Sequence, residues 1–220
     1  MKWNKKINFD ECNIWFTSDL HLFHDNILRL NNRPFKDCDE MYEHIVNDWN
    51  SKVNENDYVF ILGDVLWGSQ ASRLKNFAEK VNGHICIVLG NHDKEKDSGG
   101  VERGNFNCFY SVERAEFIKV ESKQCGIDVS IYMSHYPALS WPSKSRGSWH
   151  LHGHVHGSMD DLNAQSQDLR VDVGFDGRLS QMKLISFADV YNHFLQKTNG
   201  KNFAKYMQDI YKEENTEIVK

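Results

Sequence analysis

The feature that most constrains this chain is a set of short apolar runs, each stopping on a histidine, aspartate or asparagine. NIWFT leads into SDLH, DYVFIL into GD, and HICIVL into GNHD; further on, DVSIYM leads into SHYP and SWHL into HGHVHG. Runs this short, nearly continuously apolar and bounded by Gly, Asp or Asn read as strands buried on both faces. Amphipathic helical patterns lie between them. Met41, Ile45 and Trp49 repeat at four-residue spacing within 39–50, and Leu74, Phe77, Ala78 and Val81 follow i, i+3, i+4, i+7 within 72–81. Asp39 and Ser72 stand where N-caps are expected. Strand and helix in alternation predict an α/β layered fold.

Two segments read differently. AEFIKVESKQCGIDVSIYMSH holds two strand-like runs around a polar, Gly-containing turn, which predicts a hairpin; LRVDVG (169–174) predicts one more strand. From about 188 to 220 the chain is helical and highly charged, and it reads as a surface helix followed by a frayed tail. With 220 residues, 40% hydrophobic, and no repeat or low-complexity linker, a single domain over 1–220 is expected.

Composition narrows the partners. A net charge of -5 without any Lys/Arg block argues against a strong nucleic-acid-binding patch. No apolar run is long enough for a membrane span, and the first residues lack the apolar core of a signal peptide. The five cysteines are scattered without a CxxC, so neither a disulfide framework nor a thiolate zinc site is expected, which fits a reducing cytoplasm. Cys86, inside ICIVL, reads as a small core residue.

In open α/β sheets, ligands collect at the carboxyl ends of strands. Here those ends carry Asp19 and His21, then Asp64, then Asn91 and His92, then His135, then His154 and His156. In an extended segment i and i+2 share a side, so the two members of DLH are expected to reach one ion together. The set is too large for one ion and suits two, with a carboxylate between them. Imidazole, carboxylate and amide donors favour Mn, Fe, Zn, Ni or Co over calcium, and the histidine content argues against magnesium alone. Two divalent ions about 3.5–4 Å apart can each take a phosphate oxygen and share an ionised water, which suits in-line attack on phosphorus.

Taken in order, DxH, GD, GNHD, a lone His after a strand, and GHxH resemble the motifs of the calcineurin-like metallophosphoesterases, spread from Asp19 to His156. TSDLHLFHDNIL with NNRPF just after it is similar to a compact bacterial and phage branch of that family. The resemblance implies an α/β/β/α-type sandwich with a dinuclear site at the strand ends, hydrolysing phosphate esters. It implies that Asp19, His21 and His156 hold one metal, Asn91, His135 and His154 the other, and that Asp64 bridges them. It also implies that His92 is a general acid for the departing alkoxide, a role worth about 10²–10⁴-fold. Mn is the expected metal. Asp93 is expected to orient His92 or its loop.

Around these motifs, Arg33 is a candidate phosphate clamp and His24 a candidate substrate contact. His152, two residues before His154 on the same strand side, is a candidate to touch a ligand, whereas His44, His84 and His193 read as ordinary polar residues. Trp67, Trp141 and Trp149 flank the motifs, and core packing is the expected use of each. Protein Ser/Thr phosphatases of this fold carry an arginine shortly after GD; GDVLWGS has Trp67 there, which disfavours that branch. Little chain beyond His156 is available for the capping domain of the double-strand-break nucleases. The expected substrate is therefore a small soluble phosphate ester, nucleotide-like, with diesters slightly favoured. The alternatives are a nuclease using the same site and a catalytically silent scaffold, a class that typically loses ligands this chain retains.

Overall fold

The apolar runs pair into two five-stranded sheets. The computed structural model describes residues 5–68, 71–93 and 109–218. In the first sheet β2 (Ile14–Thr17), β3 (Tyr58–Ile61), β4 (His84–Val88) and β5 (Ser111–Glu113) run parallel, and β10 (Ile185–Ser186) joins β2 antiparallel at the edge. The second sheet has the order β1 (Lys5–Asn8), β6 (Glu116–Ser122), β7 (Ile127–Met133), β8 (Trp149–His152) and β9 (Arg170–Asp172). Among the described residues its only antiparallel pair is β6–β7, the expected hairpin, with Glu116 opposite Met133 and Ser122 opposite Ile127.

Alternation along the first sheet sorts its side chains into two cores. Ile14, Phe16, Phe60, Leu62, Cys86 and Val88 face the second sheet, where they meet Ile118, Ile131, Trp149 and Val171. Val59, Ile61, Ile85 and Ile87 point the other way, onto Met41, Ile45 and Trp49 of α2 (Cys38–Asn50) and Leu74 and Phe77 of α3 (Ala71–Lys80). The outer face of the second sheet carries the short helix α4 (Asp160–Gln165), whose Asn163 bonds His152 and Arg170. The layered α/β fold is thus present, built on two parallel-rich sheets. Cys86 is a core residue, and among the described residues Cys12, Cys38, Cys86 and Cys125 are unbridged.

Three local expectations change. Asp37, not Asp39, caps α2: its extended backbone lets the carboxylate accept from Glu40 N at 2.9 Å. Ser72 is no cap either, because α3 is already helical at Ala71. The C-terminal segment is two helices, α5 (Phe187–Lys197) and α6 (Phe203–Ile218), separated where Asn199 and Gly200 take positive φ and Gly200 N closes onto Leu195 O. Neither is merely a surface helix, since Phe187, Val190 and Phe194 of α5 and Met207 and Ile210 of α6 enter the inter-sheet core. Residues 219–220 of the expected tail lie outside the described residues. A further short helix, α1 (Ile27–Leu30), follows the first site loop. Among the described residues, no helix is long and apolar enough to cross a membrane.

Candidate metal centre

The site is made by loops that leave the carboxyl ends of β2, β3, β4, β7 and β8. Asp19 and His21 do not continue β2, as alternation would have them: the strand ends at Thr17, and both residues take positive φ, 55° and 48°. Asp64 (53°), His154 (70°) and His156 (49°) do the same after β3 and β8. Left-handed backbone at a non-glycine residue costs of order 1–3 kcal/mol and persists only where its surroundings enforce it. Here the enforcement is visible. The first two loops run side by side, with Asp19 N donating to Gly63 O, His21 N to Asp64 O and Leu22 N to Val65 O, all at 2.9–3.0 Å. Gly90 and Gly153 let the other loops close in, because a Cβ at Gly90 would strike the Asp64 carboxylate and one at Gly153 would strike Ser18 and Asp19.

Asp64 sits at the centre. Its Oδ1 accepts from His92 N at 2.8 Å, while Oδ2 lies 3.7 Å from His21 Nε2 on one side and 3.5 Å from His135 Nε2 on the other. Ligand atoms of Asp19, His21 and His156 lie within 4.8 Å of one another, as do those of Asp19, Asp64 and His135. Asn91 joins the second group through Oδ1, 2.9 Å from His135 Nε2. His154 stands slightly apart, its ring 5.0 Å from that of His135, and its backbone N donates to Asp19 Oδ2. All seven residues expected as ligands therefore meet at one place.

The donor set suits cations on physical grounds. His135 Nδ1 bonds Leu62 O at 2.7 Å, so in the neutral ring Nε2 is a bare acceptor turned toward the oxygens of Asn91 and Asp64. Asp19 Oδ1 and both ring nitrogens of His21 are buried without a hydrogen-bond partner among the described residues. Burial, followed by the neighbouring imidazoles and Arg33, pushes the His21 pKa down to about 2, and burial raises Asp19 to about 6. Acceptors crowded together in this way are costly unless something positive sits among them.

Several expected roles change. Arg33 is not free to clamp phosphate: its Nε and Nη2 grip Asp176 at 2.8 and 2.7 Å, and the remaining donors go to Asp19 O, Leu20 O and the Met41 sulfur. A guanidinium has five N–H groups, and all are engaged. His24 lies behind Trp67, stacked on it at 4.0 Å and 17°, and is only 9% exposed, so it backs the indole instead of facing substrate. For Asp93 the loop half of the expectation is the one the geometry fits: its carboxylate accepts from Gly90 N of its own loop and from Asp64 N and Val65 N, so it ties that loop to the one that presents Asp64. Burial, against those hydrogen bonds, raises the Asp93 pKa to about 6.

Asp176 is the residue that the motif reading missed. It follows β9 and accepts from His156 Nδ1 at 2.6 Å, from Asn31 Nδ2 at 2.9 Å and from Arg33. That bond fixes the His156 ring so that Nε2 faces Asp19, 3.8 Å away. Burial opposes a charge on His156, but Asp176 and Asp19 outweigh it and raise the pKa. The available signal was LRVDVGFDG, one more strand ending near an aspartate.

A two-sheet α/β fold whose strand ends gather imidazole, carboxylate and amide acceptors is the architecture of a metal-dependent phosphoesterase. The chain belongs to the calcineurin-like phosphoesterase family, whose profile matches residues 12–173. It is 29% identical over 203 residues to the Gene 66 protein of Mycobacterium phage L5, covering 82% of this chain and 95% of that one. It is also 29% identical over 165 residues to an uncharacterized protein of Methanocaldococcus jannaschii, covering 73% of this chain and 81% of the other. A crystal structure of a protein of unknown function from Aquifex aeolicus shares the fold, with a TM-score of 0.60 at 22% identity, over 83% of this chain and 99% of that one.

Proposed function

We propose that this protein is a dinuclear metal-dependent hydrolase of small, nucleotide-like phosphate esters, with diesters favoured. The observation that carries this reading is Asp64 Oδ2, set between His21 Nε2 and His135 Nε2 at 3.7 and 3.5 Å, where one carboxylate can serve two cations. In this reading Asp19, His21 and His156 hold one ion and Asn91, His135 and His154 the other. Mn is the favoured metal, and Fe, Zn, Ni or Co suit the same donors. Two bound divalent ions would supply Lewis acidity at the phosphoryl oxygens and a water of lowered pKa.

The chain's own groups do the rest. Asp93 holds the Asp64 loop through three backbone donors, and Asp176 sets the tautomer of His156. His92 is anchored through its backbone N on Asp64, while its side chain, 33% exposed, stands at the mouth of the site with Nε2 3.9 Å from Asp64 Oδ2. There it can give a proton to the leaving alkoxide. The scattered cysteines, without a CxxC, fit a cytoplasmic setting.

With added Mn²⁺ the purified protein is expected to cleave bis-p-nitrophenyl phosphate faster than p-nitrophenyl phosphate. No turnover of either would sink the hydrolase reading. His92→Ala is expected to lower kcat by about 10²–10⁴-fold with metal content unchanged. Loss of metal in that variant would contradict the proton-donor role.

A further inference from the structure

Of the six large hydrophobic residues that are conspicuously exposed among the described residues, two stand at the candidate metal centre: Trp67, 42% exposed, and Tyr136, 52% exposed. Their neighbours differ. Trp67 packs against His24, His92 and His21, at ring distances of 4.0, 4.7 and 6.5 Å. Tyr136 packs against His154 and His135, at 4.4 and 5.2 Å. Among the described residues the two rings share no ring neighbour: Trp67 lies with His21 and Tyr136 with His135, the two imidazoles 3.7 and 3.5 Å from Asp64 Oδ2. Trp67 is held in place, because His24 backs one face of the indole and Trp67 N donates to Leu22 O at 3.0 Å. Trp141 and Trp149 are 6% and 0% exposed and do pack in the interior, so the open Trp67 is the exception among the three.

An exposed aromatic on each side of a phosphoester site suits a substrate with a flat ring on each side of its phosphorus. We propose that Trp67 and Tyr136 are base-stacking platforms and that the substrate class is a short nucleotide diester of dinucleotide size. The inference rests on the hydrolase reading above. The position of His92 gives the platforms a direction. The proton donor must face the departing oxygen, so Trp67, beside His92, contacts the leaving nucleoside, and Tyr136 contacts the nucleoside that keeps the phosphate. In the reaction, a water oxygen forms the new bond to phosphorus and gives up a proton to solvent, while the bond to the leaving oxygen breaks with its electron pair going to that oxygen. His92 protonates that oxygen and is reprotonated from solvent, and the products are one terminal phosphate and one free hydroxyl. Length is limited by charge: at -5, with no basic block, the chain lacks the electrostatic track that holds a long strand.

The test compares the Mn²⁺-loaded full chain on thymidylyl-thymidine and on the same dinucleotide with both bases replaced by abasic sugars. The readout is the ratio of the two kcat/KM values, in which any general loss of activity cancels. The ratio is expected to be about tenfold or more in the parent, in line with base–aromatic stacking. It is expected to fall severalfold in Trp67→Ala and in Tyr136→Ala, and to be largely kept in Trp67→Phe and Tyr136→Phe, which retain a stacking face. A parent ratio near one, or alanine variants that keep the parent ratio, would overturn the inference while cleavage of bis-p-nitrophenyl phosphate still upheld the hydrolase. Cleavage of p-nitrophenyl phosphate without any diester would overturn this inference alone; if neither class of ester is cleaved, both readings fall together.

Discussion

At the scale of single residues, the groups that decide this site are those that hold the ligands still. Arg33 and Asp176 form a buried pair, with Nη2 and Oδ2 2.7 Å apart and side chains 0% and 5% exposed. One end of the pair bonds His156, and the other bonds the carbonyls of Asp19 and Leu20. Asp176→Asn keeps the shape of the side chain but removes the charge that orients His156. Groups that orient metal-bound histidines typically change affinity by about 10–100-fold. Calorimetric titration of the metal-free variant with Mn²⁺ is therefore expected to show one of two binding steps weakened by that factor and the other preserved. Two unaltered steps would remove Asp176 from the machinery. A strand ending near an aspartate is all the sequence shows of this role, because Asp176 meets His156 only when β8 and β9 lie side by side.

At the scale of elements, the entry to the first sheet depends on one carboxylate. Asp57, 2% exposed, precedes β3 and accepts from Asn13 N at 2.8 Å, Asn54 N at 3.0 Å and Trp15 Nε1 at 3.2 Å. Burial alone would raise its pKa; the hydrogen bonds outweigh burial and lower it. A carboxylate whose pKa is depressed on folding stabilises the protein fully above its unfolded value, about 3.9. That contribution fades as pH falls through the folded value. Asp57→Asn turns an amide toward two of those donors, and a buried donor left unsatisfied costs about 1–3 kcal/mol. Urea unfolding at neutral pH is expected to show that loss, and the variant's further destabilisation below about pH 4 should be shallower than the parent's. Equal acid sensitivity in the two proteins would contradict the assignment.

At the scale of the whole molecule, the candidate ligands come from both sheets: Asp19, His21, Asp64 and Asn91 follow strands of the first, and His135, His154 and His156 follow strands of the second. Metal binding should therefore tie the sheets together. Mn²⁺ at about a hundred times its Kd is expected to stabilise the fold by about 2.7 kcal/mol per site. The thermal upshift should persist in His92→Ala and largely vanish in Asp64→Asn; an undiminished shift in Asp64→Asn would sink the bridging role. By itself, the sequence determined the apolar strands β2, β3, β4, β6, β7, β8 and β9, the helices α2 and α3, the hairpin and the identity of the residues gathered at the strand ends; β1, β5, β10, α1 and α4 are too short or too polar to show a period. Apolar period and strand-end chemistry are local properties, and DLH, GD, GNHD, His135 and HVH carry them in the chain. Only the tertiary structure decided how those residues are used. The positive φ of Asp19, His21, Asp64, His154 and His156 is enforced by loops from distant parts of the chain. Arg33 is a scaffold and not a phosphate clamp because Asp176, far along the sequence, takes its donors. Trp67 is 42% exposed because the rings packed on it are the site's own histidines, His24 and His92, and not the inter-sheet core. Which atoms satisfy a buried or strained group is settled by what lies next to it in space, and a linear pattern does not contain that.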